Sequence, residues 1–263
     1  MSPFSILQIT DMHIMADLNQ TFQGINTDHY FKAILDLAFI ENKHFDLILV
    51  TGDLAQNPCE ASYKHILRRL EATNTLSICL PGNHDDVELM QQIFDTRLVS
   101  CHKQTLLNNW QLICLNSQIL GKPGGNLSKQ ELLFLEDCLL KNPNHHTLIA
   151  VHHHCLETKS AWMDSMIIEN NEVLLSLIKK HPQVKAITWG HIHQEMDVSI
   201  DSLRFLGTPS TCFQFTPHSK TFSLDSKSPG YRTINLYPDG LIQTATTRLD
   251  EPLFGMQIKT EGY

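Results

Sequence analysis

The sequence predicts an α/β protein. Three observations carry that expectation. Over the first two thirds, short apolar runs alternate with segments of helical periodicity. From about residue 196 onward the pattern changes to short strands separated by turn residues. Five of the apolar runs are followed directly by short motifs rich in Asp, His, Asn and Gly.

The elements follow in order. Phe4–Thr10 (FSILQIT) reads as a buried strand, and Thr27-Asp28 opens a helix over Tyr30–Glu41. Phe45–Val50 is a second strand, and Glu60–Ala72 a helix carrying Lys64, Arg68 and Arg69 on a basic stripe. Leu76–Leu80 is the third strand and Asp86–Phe94 a short helix. Asn108-Asn109 marks a turn, so Thr105–Leu107 is expected to pair with Trp110–Leu115 in a hairpin. Ser128 and Glu131 form a capping-box signature ahead of a helix to Leu140. His146–Val151 is a strand, Asn170 or Asn171 caps a helix to Lys180, and Val184–Trp189 is a strand. Met196–Ile200, Leu203–Leu206, Arg232–Leu236 and Leu241–Thr247 complete the set, with turns at Asp201-Ser202 and Asp239-Gly240. Gly121–Gly125 is a loop within the domain. No linker or repeat interrupts the chain, so residues 1–263 are expected to form one domain, its sheet layer completed by the C-terminal strands.

Composition narrows the functional classes. The apolar share is 42% and the charged share 18%, as in ordinary globular proteins. No apolar run approaches the ~20 residues of a membrane helix. Met1-Ser2-Pro3-Phe4 lacks the basic start of a secretory signal. A net charge of −8 argues against nucleic acid or an anionic membrane as a partner. Seven scattered cysteines with no Cys-x-x-Cys pair suit a reducing cytoplasm. Fifteen histidines are the unusual entry, and their positions decide what they mean.

Many of them fall at strand ends. Asp11-Met12-His13, Gly52-Asp53, Gly82-Asn83-His84-Asp85, His152-His153-His154 and Gly190-His191-Ile192-His193 each follow a strand. The carboxyl ends of α/β strands are where ligands bind. Taken singly, each motif is an ordinary polar turn. Together they supply carboxylate, imidazole and amide oxygen without thiolate, a donor set for manganese, iron or zinc. Two carboxylates, four imidazoles and an amide are too many for one ion and suit two. One Asp with two carboxylate oxygens is able to bridge them. Gly52, Gly82 and Gly190 allow the backbone to approach closely. His145-His146 reads as an exposed connection, and part of His152–His154 as a polar rim. Ser210-Thr211 lacks a nucleophile elbow, and Cys155 and Cys212 read as buried structural thiols. Asp85 is expected either to orient the His84 imidazole or to cap the following helix.

The motif order resembles the calcineurin-like metallophosphoesterase superfamily. Thr51–Gln56 (TGDLAQ), Leu80–Asp85 (LPGNHD), Gly190–Glu195 (GHIHQE), Thr208–Cys212 (TPSTC), Pro229–Arg232 (PGYR) and Glu261-Gly262-Tyr263 are similar to its bacterial class III cyclic-AMP phosphodiesterase branch. The resemblance runs along essentially the whole chain. It implies a four-layer α/β/β/α sandwich of two mixed sheets and hydrolysis of 3′,5′-cyclic AMP to 5′-AMP in the cytoplasm. A broader phosphodiesterase or a nucleotidase is the alternative on the same site, and a non-catalytic scaffold the third reading. By resemblance Asp11, His13, Asp53 and His193 hold a first ion. Asp53, Asn83, His152 and His191 hold a second, with Asp53 bridging, and the ions are iron or manganese, with zinc third. His84 matches the catalytic histidine. His13, Asn83, His84 and His193 lie near the nucleotide, the expected partner. Cys155 stands where the family usually has proline.

Overall fold

A computed structural model of the protein describes residues 2–257. The terminal Glu261-Gly262-Tyr263 lies outside the described residues. Strand β1 (Phe4–Ile9) shows how the layers arise. Its side chains alternate faces, so Ile6 enters the apolar layer between two sheets while Leu7 and Ile9 lie under helices. Helix α1 (Thr27–Glu41) begins at Asn26, whose side chain accepts a hydrogen bond from the His29 N–H. Strand β2 (Leu47–Thr51) divides like β1, with Leu47 and Leu49 inward and Ile48 and Val50 under the helices. Helix α2 (Glu60–Glu71), β3 (Ser77–Leu80), α3 (Val87–Ile93) and the two-residue β4 (Val99–Ser100) follow.

The second sheet opens with the expected hairpin, β5 (Gln104–Leu107) and β6 (Trp110–Cys114), with Asn108 at φ 57° in the turn. Then come α4 (Lys129–Lys141), β7 (His146–Ala150), the single turn α5 (Ala161–Asp164), α6 (Asn171–Ile178) and β8 (Val184–Trp189). β9 (Met196–Ile200) and β10 (Leu203–Gly207) form a hairpin, and β11 (Gln214–Phe215) pairs with β12 (Leu224–Asp225) in a small ribbon. β13 (Gly230–Leu236) and β14 (Ile242–Arg248) end the fold.

The first sheet has the order β14-β13-β1-β2-β3-β4 and the second β5-β6-β7-β8-β10-β9. Both are mixed: β1, β2 and β3 run parallel, while β13 pairs antiparallel to β1. Helices α1 and α2 cover the first sheet, α4 and α6 the second, and a third apolar layer fills the space between sheets. This is the α/β/β/α sandwich. The C-terminal strands complete both sheets: β9 and β10 extend the second, β13 and β14 the first.

Two local expectations need correction. Ser128 Oγ accepts from the Glu131 N–H, but the Glu131 carboxylate does not return to the cap. It takes Lys103 at 2.5 Å and the Asn116 N–H at 3.0 Å, so a stronger cationic partner displaces half of the capping box. Asn170 precedes α6 without capping it, because its side chain exchanges hydrogen bonds with the backbone of Leu127. Among the described residues, no helix is long and apolar enough to cross a membrane.

Candidate metal centre

The parallel strands β1, β2, β3, β7 and β8 deliver their carboxyl-end loops to one edge of the sandwich. Backbone bonds join these loops. Asp11 N–H donates to the Gly52 carbonyl and His13 N–H to the Asp53 carbonyl, each at 3.0 Å. Gly190 N–H donates to the His152 carbonyl at 3.2 Å, which ties β8 to β7. The Asp11 carboxylate accepts the His191 N–H at 3.0 Å and Thr10 Oγ1 at 2.7 Å, so the first sheet holds a loop of the second.

Asp11, His13, Asp53, His191 and His193 all have positive φ, between 45° and 61°. Such conformations are uncommon for residues with a Cβ and concentrate at functional sites. Glycine is required beside them: a Cβ at Gly82 would strike the Asp53 side chain, and one at Gly190 the Thr10 hydroxyl.

The side chains converge on Asp53 Oδ2. His152 Nε2 lies 3.4 Å from it, His13 Nε2 3.8 Å and His84 Nε2 4.0 Å. His193 Nε2 is 3.3 Å from Asp11 Oδ1 and 3.4 Å from His13 Nε2. Asn83 Oδ1 is 3.1 Å from His152 Nε2. Asp11–His13–His193, His13–Asp53–His84, Asp11–Asp53–His152 and His152–His153–His191 each gather donor atoms within 4.8 Å of one another. All eight residues expected at the site lie in this one cluster or directly against it. Six are buried, while Asn83 and His84 are half-buried at its mouth.

The supporting partners distinguish the three successive histidines. His152 donates from Nδ1 to the Thr51 carbonyl at 2.8 Å, which turns Nε2 toward Asp53 and Asn83. His153 has both nitrogens engaged, with Ser117 Oγ at 2.7 Å and the Pro123 carbonyl at 3.2 Å. His154 lies 3.6 Å from Asp164. The expected polar rim is absent here: all three histidines are fully buried. His193 likewise holds the Phe213 carbonyl through Nδ1, and His13 holds Gln56 Oε1, each at 2.8 Å. Such bonds fix the tautomer and aim the other nitrogen. Gln56, Thr51 and Phe213 escape sequence reasoning because two of them act through backbone carbonyls, which carry no residue signature.

Asp85 does neither of the things expected of it. Asp86 caps α3, accepting the Leu89 N–H. The Asp85 carboxylate instead accepts the N–H groups of Gly82, Leu54 and Ala55 at 2.9–3.2 Å and the Tyr63 hydroxyl at 3.0 Å. It thereby links the Asp53 loop to the Asn83 loop. The Gly121–Gly125 loop packs on the other side, against His153.

The electrostatics suit a cation. Burial alone would raise the Asp53 and Asp11 carboxyls, but the neighbouring histidines outweigh it and hold both below the usual range. Burial would lower His152, yet Asp53 pushes it up to about 9. His13 falls to about 3 and His191 falls well below the usual imidazole value, chiefly through burial. The cluster therefore presents ionised carboxylates beside neutral His13 and His191, the protonation states a divalent metal needs, and a bound ion would displace the proton from His152. Asp53 Oδ2 and both nitrogens of His191 are buried without a hydrogen-bond partner. Buried polar atoms are rarely left so, and a metal would satisfy Asp53 Oδ2 and one of the two His191 nitrogens. Cys155 and Cys212 are fully buried thiols raised to about 12, which leaves them unreactive.

Comparisons with known proteins agree with this geometry. Residues 4–195 match the sequence model of the calcineurin-like phosphoesterases. The chain is 39% identical over 259 residues to the 3′,5′-cyclic adenosine monophosphate phosphodiesterase CpdA of Escherichia coli K12, covering 98% of this chain and 94% of that protein. It is 38% identical over 257 residues to a 3′,5′-cyclic-nucleotide phosphodiesterase of Nostoc, covering 98% and 96%. Among solved structures, a dimetal phosphatase from Danio rerio superposes with a TM-score of 0.60 at 14% identity, over 94% of this chain and 99% of that one. That likeness speaks to the fold alone.

Proposed function

The chain belongs to the calcineurin-like phosphoesterase family, and from that premise we propose that it hydrolyses 3′,5′-cyclic AMP to 5′-AMP at a site for two metal ions. The observation that carries the reaction class is the gathering of Asp11, His13, Asp53, Asn83, His152, His191 and His193 in one cluster at the strand ends, with His152 and His13 close to Asp53 Oδ2. The full-length likeness to cyclic-AMP phosphodiesterases supports the substrate. We assign Asp11, His13, Asp53 and His193 to one ion, and Asp53, Asn83, His152 and His191 to the other, with Asp53 shared. Iron and manganese are the ions this oxygen and nitrogen set favours in our reading, with zinc third. When bound, such a pair supplies Lewis-acid charge for the phosphate and a water acidic enough to attack phosphorus near neutral pH.

The chain's own residues do the rest. His84 stands at the mouth of the cluster with its side chain 21% exposed, where it meets the phosphate or the departing 3′ oxygen of the ribose. Its backbone N–H donates to Asp53 Oδ1 at 2.9 Å, which anchors the residue beside the cluster. His13, Asn83 and His193 border the same mouth and complete the phosphate-facing wall. We place the protein in the cytoplasm, a reading supported by its seven free thiols.

Metal analysis on protein purified without chelator, combined with turnover of cyclic AMP, tests this reading. Chelation is expected to abolish turnover, and iron or manganese to restore it. Full activity in protein shown metal-free by elemental analysis would refute it. A panel of 2′,3′-cyclic nucleotides, nucleoside monophosphates and a nitrophenyl diester separates it from a broader phosphodiesterase or a nucleotidase.

A further inference from the structure

The imidazoles assigned to the two ions are not all aimed in the same way. His13, His152 and His193 each hold a partner through Nδ1, namely Gln56 Oε1 and the carbonyls of Thr51 and Phe213. His191 has no hydrogen-bond partner on either nitrogen. In a close-packed interior, such a ring takes its orientation from what packs on it. Neighbouring imidazoles do so here: His153 with ring centroids 4.6 Å apart, His152 at 5.0 Å and His154 at 5.9 Å. His153 is the nearest of them, and it also meets His152 edge-on at 4.9 Å with an interplanar angle of 85°. It therefore stands against both histidines assigned to the ion shared by Asp53, Asn83, His152 and His191.

His153 is itself held firmly. Its Nε2 lies 3.2 Å from the Pro123 carbonyl, and a carbonyl only accepts, so that nitrogen carries the hydrogen. Its Nδ1 lies 2.7 Å from Ser117 Oγ, and burial keeps the ring neutral, so Nδ1 accepts from the Ser117 hydroxyl. Ser117 Oγ in turn accepts the backbone N–H of His153 at 3.4 Å. Neither nitrogen of His153 has a lone pair left for a metal, although one of them lies within 4.8 Å of donor atoms of His152 and His191. The segment after β6 forms a bracket around the ring. Gln118 pairs with Gly125 in an isolated bridge, and the Asn126 N–H donates to the Ser117 carbonyl at 2.9 Å. Gly125 lies so close to His153 that a Cβ there would strike the imidazole. Its carbonyl accepts the Glu169 N–H at 2.8 Å, which fixes the bracket to the rest of the second sheet's cover.

We propose that His153 is a positioning residue for one of the two ions: locked by Ser117 and the 121–125 loop, its ring sets the orientation of His191 and His152 without ligating the metal. This rests on the two-ion reading above. Groups that orient metal ligands are worth roughly 10- to 100-fold in metal affinity. The place to test the lock is Ser117. Removing its hydroxyl releases Nδ1 and lets the His153 ring turn, while every assigned ligand and the bulk of the ring stay in place. The sign of the effect is diagnostic. If His153 were a ligand, freeing Nδ1 would strengthen metal binding; if it positions His191 and His152, freeing Nδ1 weakens it.

The test is manganese binding to metal-stripped protein, followed by titration calorimetry and by electron paramagnetic resonance. Wild type is expected to take up two ions and give the spectrum of a coupled pair. Ser117→Ala is expected to weaken one ion roughly 10- to 100-fold and the other by less than about threefold. At a manganese concentration that just fills wild type, its spectrum should be that of an isolated ion. His153→Asn, which keeps an acceptor for the Ser117 hydroxyl but has no ring, should weaken the same ion at least as much. Tighter or unchanged binding in Ser117→Ala would overturn the assignment, and so would equal weakening of both ions, which is the signature of general packing. Wild type that binds fewer than two ions would refute the two-ion reading, and the role of His153 with it. Two ions in wild type and an unaffected Ser117→Ala would refute the role of His153 alone.

Discussion

Asp85→Asn is expected to destabilise the protein without removing a metal ligand. Asp85 receives three buried backbone N–H groups and the Tyr63 hydroxyl. An amide oxygen in its place accepts two of these four donors, and the new NH2 faces the other two. Each unsatisfied donor costs about 1–3 kcal/mol, so the change costs about 2–6 kcal/mol. In a chain of this size that lowers Tm by about 5–20 °C. The charge acts in the opposite direction. Burial and the adjacent Asp53 carboxylate raise Asp85 to about 6, even though the N–H donors pull it down. Its folded value therefore exceeds the unfolded value of about 3.9. In metal-free protein the folded state holds more protons between those values, so stability falls as pH rises from about 4 to 6 and levels off above. Asp85→Asn removes that slope. Metal loading neutralises Asp53, so the substitution should cost more in loaded than in stripped protein. Thermal unfolding of both proteins, with and without metal, across pH 4–8 measures all of this. An Asp85→Asn protein as stable as wild type when loaded would refute the four-donor account.

Asp53→Asn should lower metal content at both positions, since its Oδ2 is the atom on which His152, His13 and His84 converge; two ions per chain in that variant would contradict a shared ligand. Among alanine changes at the three successive histidines, His152 should lose the most metal by elemental analysis, because His153 has both nitrogens engaged elsewhere. A larger loss at His153 would reverse that assignment. His84→Ala should reduce turnover of cyclic AMP by roughly 10²–10⁴ with both ions retained. If His84 protonates the leaving oxygen, a nitrophenyl diester will suffer much less than cyclic AMP, whereas equal losses favour phosphate stabilisation. Unchanged turnover in a fully metallated variant would remove His84 from the mechanism.

Much of the fold was legible because its strands are buried on both faces and bounded by turn residues. The 45–50 and 76–80 runs both appear as central strands of the first sheet, displaced by at most two residues. Four elements were not legible: β4, β11 and β12 have two residues each and α5 has four, too few for any periodicity. The allocation of C-terminal strands to two different sheets was hidden too, because register depends on partners distant in sequence. At the site, chemistry-bearing side chains were visible at the strand ends, whereas their supports were not. Asp85 looked like a neighbour of His84, but its donors come from residues 54, 55, 63 and 82. Burial of all three of His152–His154 was likewise invisible, since three consecutive imidazoles ordinarily read as polar surface.

The C-terminal third is part of the site, although the family match ends at residue 195. Asp11 is held in its left-handed conformation by bonds from both directions. Its N–H donates to Gly52, and its carbonyl accepts Ser210 Oγ at 2.8 Å and Cys212 Sγ at 3.2 Å. Phe213 then supplies the carbonyl that aims His193. Residues 210–213 thus reach back to a ligand candidate on β1 and another after β8. A non-glycine residue at positive φ costs roughly 1–2 kcal/mol, and five such residues crowd this cluster. That strain persists only where surrounding bonds over-determine it. The segment after β10 contributes several of those bonds, so truncating the chain near residue 195 would remove the restraints on Asp11 and His193 together with two strands of each sheet. Ligand geometry here is a property of the completed sandwich, assembled from loops of both sheets, and the five motifs alone do not make it.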